Sequence, residues 1–210
     1  MNFEKIEEQN NNFNYYKKII KIILVSSLLP TNLIAKNFYS PFPPAILNLK
    51  IPNPYEKKEN LINKINDFYS KHRNNFPPLL NENFFKIIKE IESTNNPKAV
   101  NKNSGATGLM QVTDICIKDV LESINIYTKN RFHLTTKDQI QEIKKEILNN
   151  PKLGEEIGEL YFYFLYKRYN IKNIKGMIIA YDAGINHLNQ KKIPKETKNY
   201  LEKFKKLNSR

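Results

Sequence analysis

The stretch Phe84-Phe85-Lys86-Ile87-Ile88-Lys89-Glu90-Ile91-Glu92, running on through Ser93-Thr94-Asn95-Asn96-Pro97-Lys98-Ala99-Val100-Asn101-Lys102-Asn103-Ser104-Gly105-Ala106-Thr107-Gly108-Leu109-Met110-Gln111-Val112, decides how this chain reads. Apolar residues at 84, 87, 88 and 91 recur at helical spacing. Steps of four from Phe84 through Ile88 reach Glu92, so its carboxylate prolongs the core-facing stripe. A carboxylate on that edge is partly desolvated, which raises its pKa and suits it to act as a general acid. Taken on helical position alone, a Glu turned to solvent is the plainer reading. Polar residues and Pro97 stop the helix, and Gly105 and Gly108 are available for positive φ or for close approach of backbone to a ligand.

Three blocks in this stretch carry a resemblance: Glu92-Ser93, Asn96-Pro97-Lys98-Ala99-Val100 and Gly105-Ala106-Thr107-Gly108-Leu109-Met110-Gln111. Together they resemble the soluble lytic transglycosylase (SLT) domain, a lysozyme-like fold that cleaves peptidoglycan. Further blocks follow in the family's order. Asn150-Pro151-Lys152-Leu153-Gly154 is similar to its middle segment, and Ala180-Tyr181-Asp182-Ala183-Gly184 to its Ala-Tyr-Asn-Ala-Gly box. Ile193-Pro194-Lys195-Glu196-Thr197 with Tyr200 is similar to its Ile-Pro-x-Glu-Thr ending. The resemblance spans roughly residues 80 to 205. Two departures stand out: Asp182 replaces the usual Asn of the box, and Asp114 stands where many relatives carry Pro.

Length allows one modest globular domain plus extensions, and about 120 to 130 residues suffice for a single core. Residues 1–36 read as a signal peptide or an N-terminal membrane anchor. Lys17, Lys18 and Lys21 precede the apolar run Ile22–Leu29, which Pro30 breaks. The domain is then expected outside the cytoplasm, exported to the periplasm or cell envelope. Residues 37–79 read as a Pro-rich spacer with one amphipathic helix, marked by Leu61, Ile62, Ile65, Phe68 and Tyr69. That helix either packs on the catalytic domain or stands in a stalk. Residues 80–210 form the catalytic domain, expected to be all-α or mainly α with a small hairpin near 101 to 111. Thr113 or Asp114 and Thr135 or Thr136 are the N-cap candidates for two of its helices. Residues 155 to 169 are expected as a helix with one apolar face, followed by a helix carrying Ile174, Met177, Ile178 and Tyr181 and stopped at Gly184. A last helix carries Tyr200, Leu201, Phe204 and Leu207.

The formal charge of +13 suits polyanionic partners. No nucleic-acid motif or arginine-rich stripe accompanies the lysines, so nucleic acid is not expected. A single cysteine, Cys116, excludes an internal disulfide framework and reads as a buried thiol. His72, His133 and His187 are scattered and form no metal-ligand pattern, so neither metal nor cofactor is expected.

What the resemblance implies for mechanism is specific. Most glycosidases use two carboxylates, whereas here Glu92 would protonate the bond between N-acetylmuramic acid and N-acetylglucosamine, the substrate's acetamide would assist, and Glu92 would next act as base toward a 1,6-anhydro product. Gln111 would hold sugar hydroxyl or acetamide groups, with a structural bond in the loop as the plainer role. Met110 would line the cleft floor or serve as plain core. Tyr181 would bring its hydroxyl near Glu92 or the acetamide. Ser93 and Ser104 would contact sugar or cap local backbone. Asp182, if buried near Glu92, would raise its pKa further. The expected partner is the peptidoglycan glycan strand, with murein turnover or service to a secretion or conjugation apparatus as settings. A lysozyme-type hydrolase on the same fold and a non-catalytic wall-binding module are the competing readings.

Overall fold

A computed structural model describes residues 58–129, 135–190 and 192–210. Helix α2, Glu82–Ser93, starts where the Asn81 side chain accepts a hydrogen bond from the Phe84 amide at 2.9 Å. It buries Phe84, Phe85, Ile87 and Ile88, as the apolar spacing requires. It ends because Thr94 turns left-handed at φ 53°, returning its amide to the Glu90 carbonyl.

Seven α-helices make up the described fold, and no extended strand occurs among the described residues. Besides α2 they are α1 (Lys58–His72), α3 (Asp114–Tyr127), α4 (Lys137–Asn149), α5 (Pro151–Lys167), α6 (Ile174–Asp182) and α7 (Lys195–Asn208). The hairpin expected near 101 to 111 is reduced to two antiparallel bridges, Val100 with Thr107 and Thr107 with Val112. The caps form at Thr113, whose hydroxyl accepts from the Cys116 amide, and at Thr136, which makes a capping box with Gln139. No helix among the described residues is long and apolar enough to cross a membrane. The expected signal or anchor over residues 1–36 lies outside the described residues.

Helix α5 is the hub. It begins with Pro151 at its first turn, where a missing amide hydrogen costs nothing. It was expected from position 155 with one apolar face; instead it starts at Pro151 and is buried continuously from Glu156 to Leu165. The run Leu160-Tyr161-Phe162-Tyr163-Phe164-Leu165 has no polar face to turn outward, so neighbours must surround it. Helices α1, α3, α4 and α6 all pack against it, while α7 lies across α2 and α6.

The spacer helix is part of this body. Leu61, Ile65 and Phe68 of α1 are buried in the common core, each contributing about 1.5–3 kcal/mol of burial. A polar knot pins the helix: the Tyr69 hydroxyl donates to Glu159 Oε2 at 2.8 Å, and Arg73 Nε reaches the same oxygen at 3.0 Å. Burial raises the Glu159 pKa, and the Tyr69 hydrogen bond and Arg73 draw it back. The Arg73 guanidinium also lies over the Phe76 and Phe85 rings.

Candidate active site

Glu92 sits in the last turn of α2 and is partly buried. Its Oε1 accepts a hydrogen bond from the Tyr200 hydroxyl of α7 at 2.8 Å. Burial is the main influence on the carboxyl and pushes it up to about 7. The Tyr200 hydrogen bond pulls downward, and the neighbouring charge of Asp182 pushes upward. The group therefore exchanges its proton near neutral pH and can both deliver and recover one. Tyr200 is held well above the usual phenol range by burial and by the Glu92 charge, so it stays a donor.

The glycine-rich loop wraps beside Glu92 because its backbone is tied at both ends. Ser93 Oγ, at the end of α2, lies 2.9 Å from the Leu109 carbonyl and 3.2 Å from that of Lys89. Gly108 adopts φ 79° and donates its amide to the Ala99 carbonyl at 2.8 Å. A Cβ on Gly108 would stand 2.7 Å from Ile147 Cγ2 of α4. Gly108→Ala is accordingly expected to destabilise the fold by about 1–3 kcal/mol, through both the positive φ and the overpacking. Urea denaturation at fixed pH checks this, and a midpoint equal to the parent's would contradict it. At the far side of the loop, the nearly buried Lys144 ammonium meets Asp114 at 2.6 Å, close beneath Gly105.

Gln111 takes the left-handed conformation at φ 46°. Its Nε2 donates to the carbonyls of Gly108 at 3.0 Å and Ala99 at 3.3 Å. Both amide hydrogens thus serve the loop, and only Oε1 is left to accept from a ligand. Met110 is fully buried, with its side chain against Gly158 of α5, so it underlies the loop and offers no surface to a sugar. Its carbonyl accepts from the Tyr181 hydroxyl. The Tyr181 ring stacks on Phe162 at 4.4 Å.

Glu92, Ser93, Met110, Gln111, Tyr181 and Asp182 are thus brought to one place by the ends of α2 and α6 and the loop between them. Ser104 stands apart at the exposed tip of the loop, its oxygen accepting from the Ala106 amide at 3.2 Å. The Tyr181 hydroxyl stands near enough to Glu92 for that charge to push the buried phenol further up. Tyr181 turns its hydroxyl to the loop carbonyl, and the phenol on Glu92 belongs to Tyr200. In the sequence Tyr200 reads as a core position of the last helix and as the tyrosine accompanying the Ile-Pro-x-Glu-Thr ending, with no part in the site assigned to it. The available signal was its place one turn beyond Thr197, on the same helical face.

Residues 78–204, well over half of the chain, match the family model described as the transglycosylase SLT domain. The chain belongs to this family. No curated protein and no solved structure matches the chain. Membership carries transglycosylase chemistry on peptidoglycan in general terms, and the all-α SLT body accounts for the placement of Glu92. The family match begins just after α1, which is nonetheless built into the core beside it. No group of His, Cys, Asp and Glu among the described residues is arranged to hold a metal ion. Cys116 is buried and its thiol is pushed up by burial, which leaves it a packing residue. Beside the SLT site, a groove of about 460 Å³ is lined by Ile115, Lys118, Glu122, Tyr161, Tyr169 and Gly184, among others. Glu92 does not line it, although the Tyr161 ring lies 5.8 Å from that of Tyr181.

Proposed function

We propose that the chain is a lytic transglycosylase in which Glu92 acts first as acid and then as base. The observation that carries this reading is a carboxyl pushed up to about 7 by burial, hydrogen-bonded to a single phenol at the end of the loop-bearing helix. Protonated Glu92 gives its proton to the glycosidic oxygen, and the N-acetylglucosamine side leaves as an alcohol. The acetamide oxygen of N-acetylmuramic acid closes on C1 as that bond breaks. The Glu92 carboxylate then takes the C6 hydroxyl proton, O6 attacks C1, and the acetamide is released. Glu92 ends protonated, and no water is consumed. Substrate assistance of this kind is a known exception to the two-carboxylate rule.

Within this reading Gln111 Oε1 accepts from the sugar's acetamide N–H or a hydroxyl, and Tyr181 holds the loop carbonyl that shapes the floor. The basic surface favours a polyanionic wall, and the N-terminal segment exports or anchors the domain in the cell envelope. Digestion of peptidoglycan in water enriched in ¹⁸O tests the reaction. Transglycosylation leaves the new muramyl ends unlabelled, and label at C1 would make the enzyme a hydrolase.

Tyr200→Phe gives a second check. Loss of the hydrogen bond that favours the carboxylate is expected to raise the Glu92 pKa above about 7. The alkaline limb of the activity profile then moves to higher pH, and kcat falls through poorer orientation of the carboxyl. An unmoved limb in a pH series of kcat would contradict the assigned contact.

A further inference from the structure

Helix α7 delivers Tyr200 to Glu92, and a second contact on the same face holds that helix down. Thr197 lies three residues before Tyr200, hence one turn away on the same side. It is only 1% exposed. Its Oγ1 donates to Asp182 Oδ2 at 2.5 Å, in the range of a charge-assisted hydrogen bond. Asp182 is the last residue of α6 and directly follows Tyr181, whose hydroxyl holds the Met110 carbonyl. Two consecutive side chains at one helix end therefore secure the two walls of the site, Tyr181 the glycine loop and Asp182 the last helix.

We infer that Asp182 is a positioning residue: through Thr197 it clasps α7 against α6 and so sets the Tyr200 hydroxyl on Glu92. It is not a sugar ligand in this account. The inference rests on the reading of Glu92 as the catalytic acid for its kinetic arm only. The family's box carries an amide at this position. An amide also accepts from Thr197, but it lacks the charge that strengthens the bond and that bears on Glu92 and Tyr200. The groups facing Glu92 are Tyr181 and Asp182 from α6 and Tyr200 from α7. On α2 itself, Lys89 is paired with Glu155 at 2.6 Å.

The test separates the clasp from the reaction. Carbon-13 NMR titration of the Glu92 carboxyl needs no substrate. Thr197→Val keeps the side-chain shape and removes the hydroxyl. It should free Tyr200 and make Glu92 titrate above about 7, as Tyr200→Phe does, while Thr197→Ser should restore the parent curve. Asp182→Asn keeps an acceptor and removes the charge, so Glu92 should titrate below about 7. On peptidoglycan fragments, Thr197→Val and Asp182→Ala should each lower kcat roughly tenfold with KM within about twofold, and the double variant should lose no more than either single one. A Thr197→Val protein whose Glu92 titrates as in the parent would overturn the clasp, whatever the enzyme activity. A raised KM with unchanged kcat in Asp182→Ala would make Asp182 a sugar ligand and overturn it too. If the parent chain has no activity, the proposed function fails, and the titration still decides the clasp.

Discussion

Glu92→Gln is expected to lower kcat on peptidoglycan by about 10²–10⁴-fold, with KM within about twofold of the parent. Gln has the same shape, and its Oε1 still accepts from Tyr200, so the geometry of the site survives. It cannot release a proton to the leaving oxygen or recover one from the C6 hydroxyl. Because the same group is used in both steps, the loss should fall toward the upper end of that range. Release of soluble fragments from purified peptidoglycan measures it, with circular dichroism showing that the variant is folded. A loss of less than tenfold would mean that another group supplies the proton.

The same substitution should also change how stability depends on pH. The Glu92 carboxyl has an ordinary pKa of 4.5 and is raised to about 7 in the folded protein. Below 4.5 both folded and unfolded chains hold the proton, and the residue costs nothing. Between 4.5 and 7 the folded chain keeps a proton that the unfolded chain has released, so stability falls as pH rises. Above about 7 the loss is complete, about 3 kcal/mol at most. Gln does not titrate and escapes this loss. Glu92→Gln should therefore be close to the parent in urea midpoint at pH 4, and more stable than the parent by up to about 3 kcal/mol at pH 8.5. Parallel midpoints across that range would show that the carboxyl is not raised. This is the signature of an acid held for chemistry at a cost to folding, since a structural carboxylate would be lost with the opposite sign.

Much of this was legible in the sequence wherever the signal is local. The stripe 84, 87, 88, 91 placed Glu92 at the edge of a core, and Thr113 and Thr136 cap their helices through their own next turn. Where contacts join distant segments, the sequence carried less. The spacer helix could equally have stood free, and its docking depends on Tyr69 and Glu159, ninety residues apart. The two tyrosines show the same limit. Tyr181 and Tyr200 both prolong apolar helical stripes, and nothing local states which phenol reaches Glu92. That is settled by how α6 and α7 cross the end of α2. For Met110 and Gln111 the motif located the residues but not their active atoms. The methionine contributes a backbone carbonyl, and the glutamine spends its amide hydrogens on the loop. Asp182 was legible as a departure from the box and Thr197 as the last residue of the Ile-Pro-x-Glu-Thr ending, but nothing local pairs these two side chains from different helices.

Mass spectrometry of the muropeptides released from purified peptidoglycan by the protein, beside its Glu92→Gln variant, tests the central claim most directly. 1,6-Anhydro-muramyl ends are predicted from the parent, and at least about a hundredfold fewer from the variant over the same digestion. Reducing ends from the parent would make the domain a hydrolase that passes its intermediate to water. A protein that sediments with the wall and releases nothing would contradict the catalytic account altogether and leave a wall-binding module.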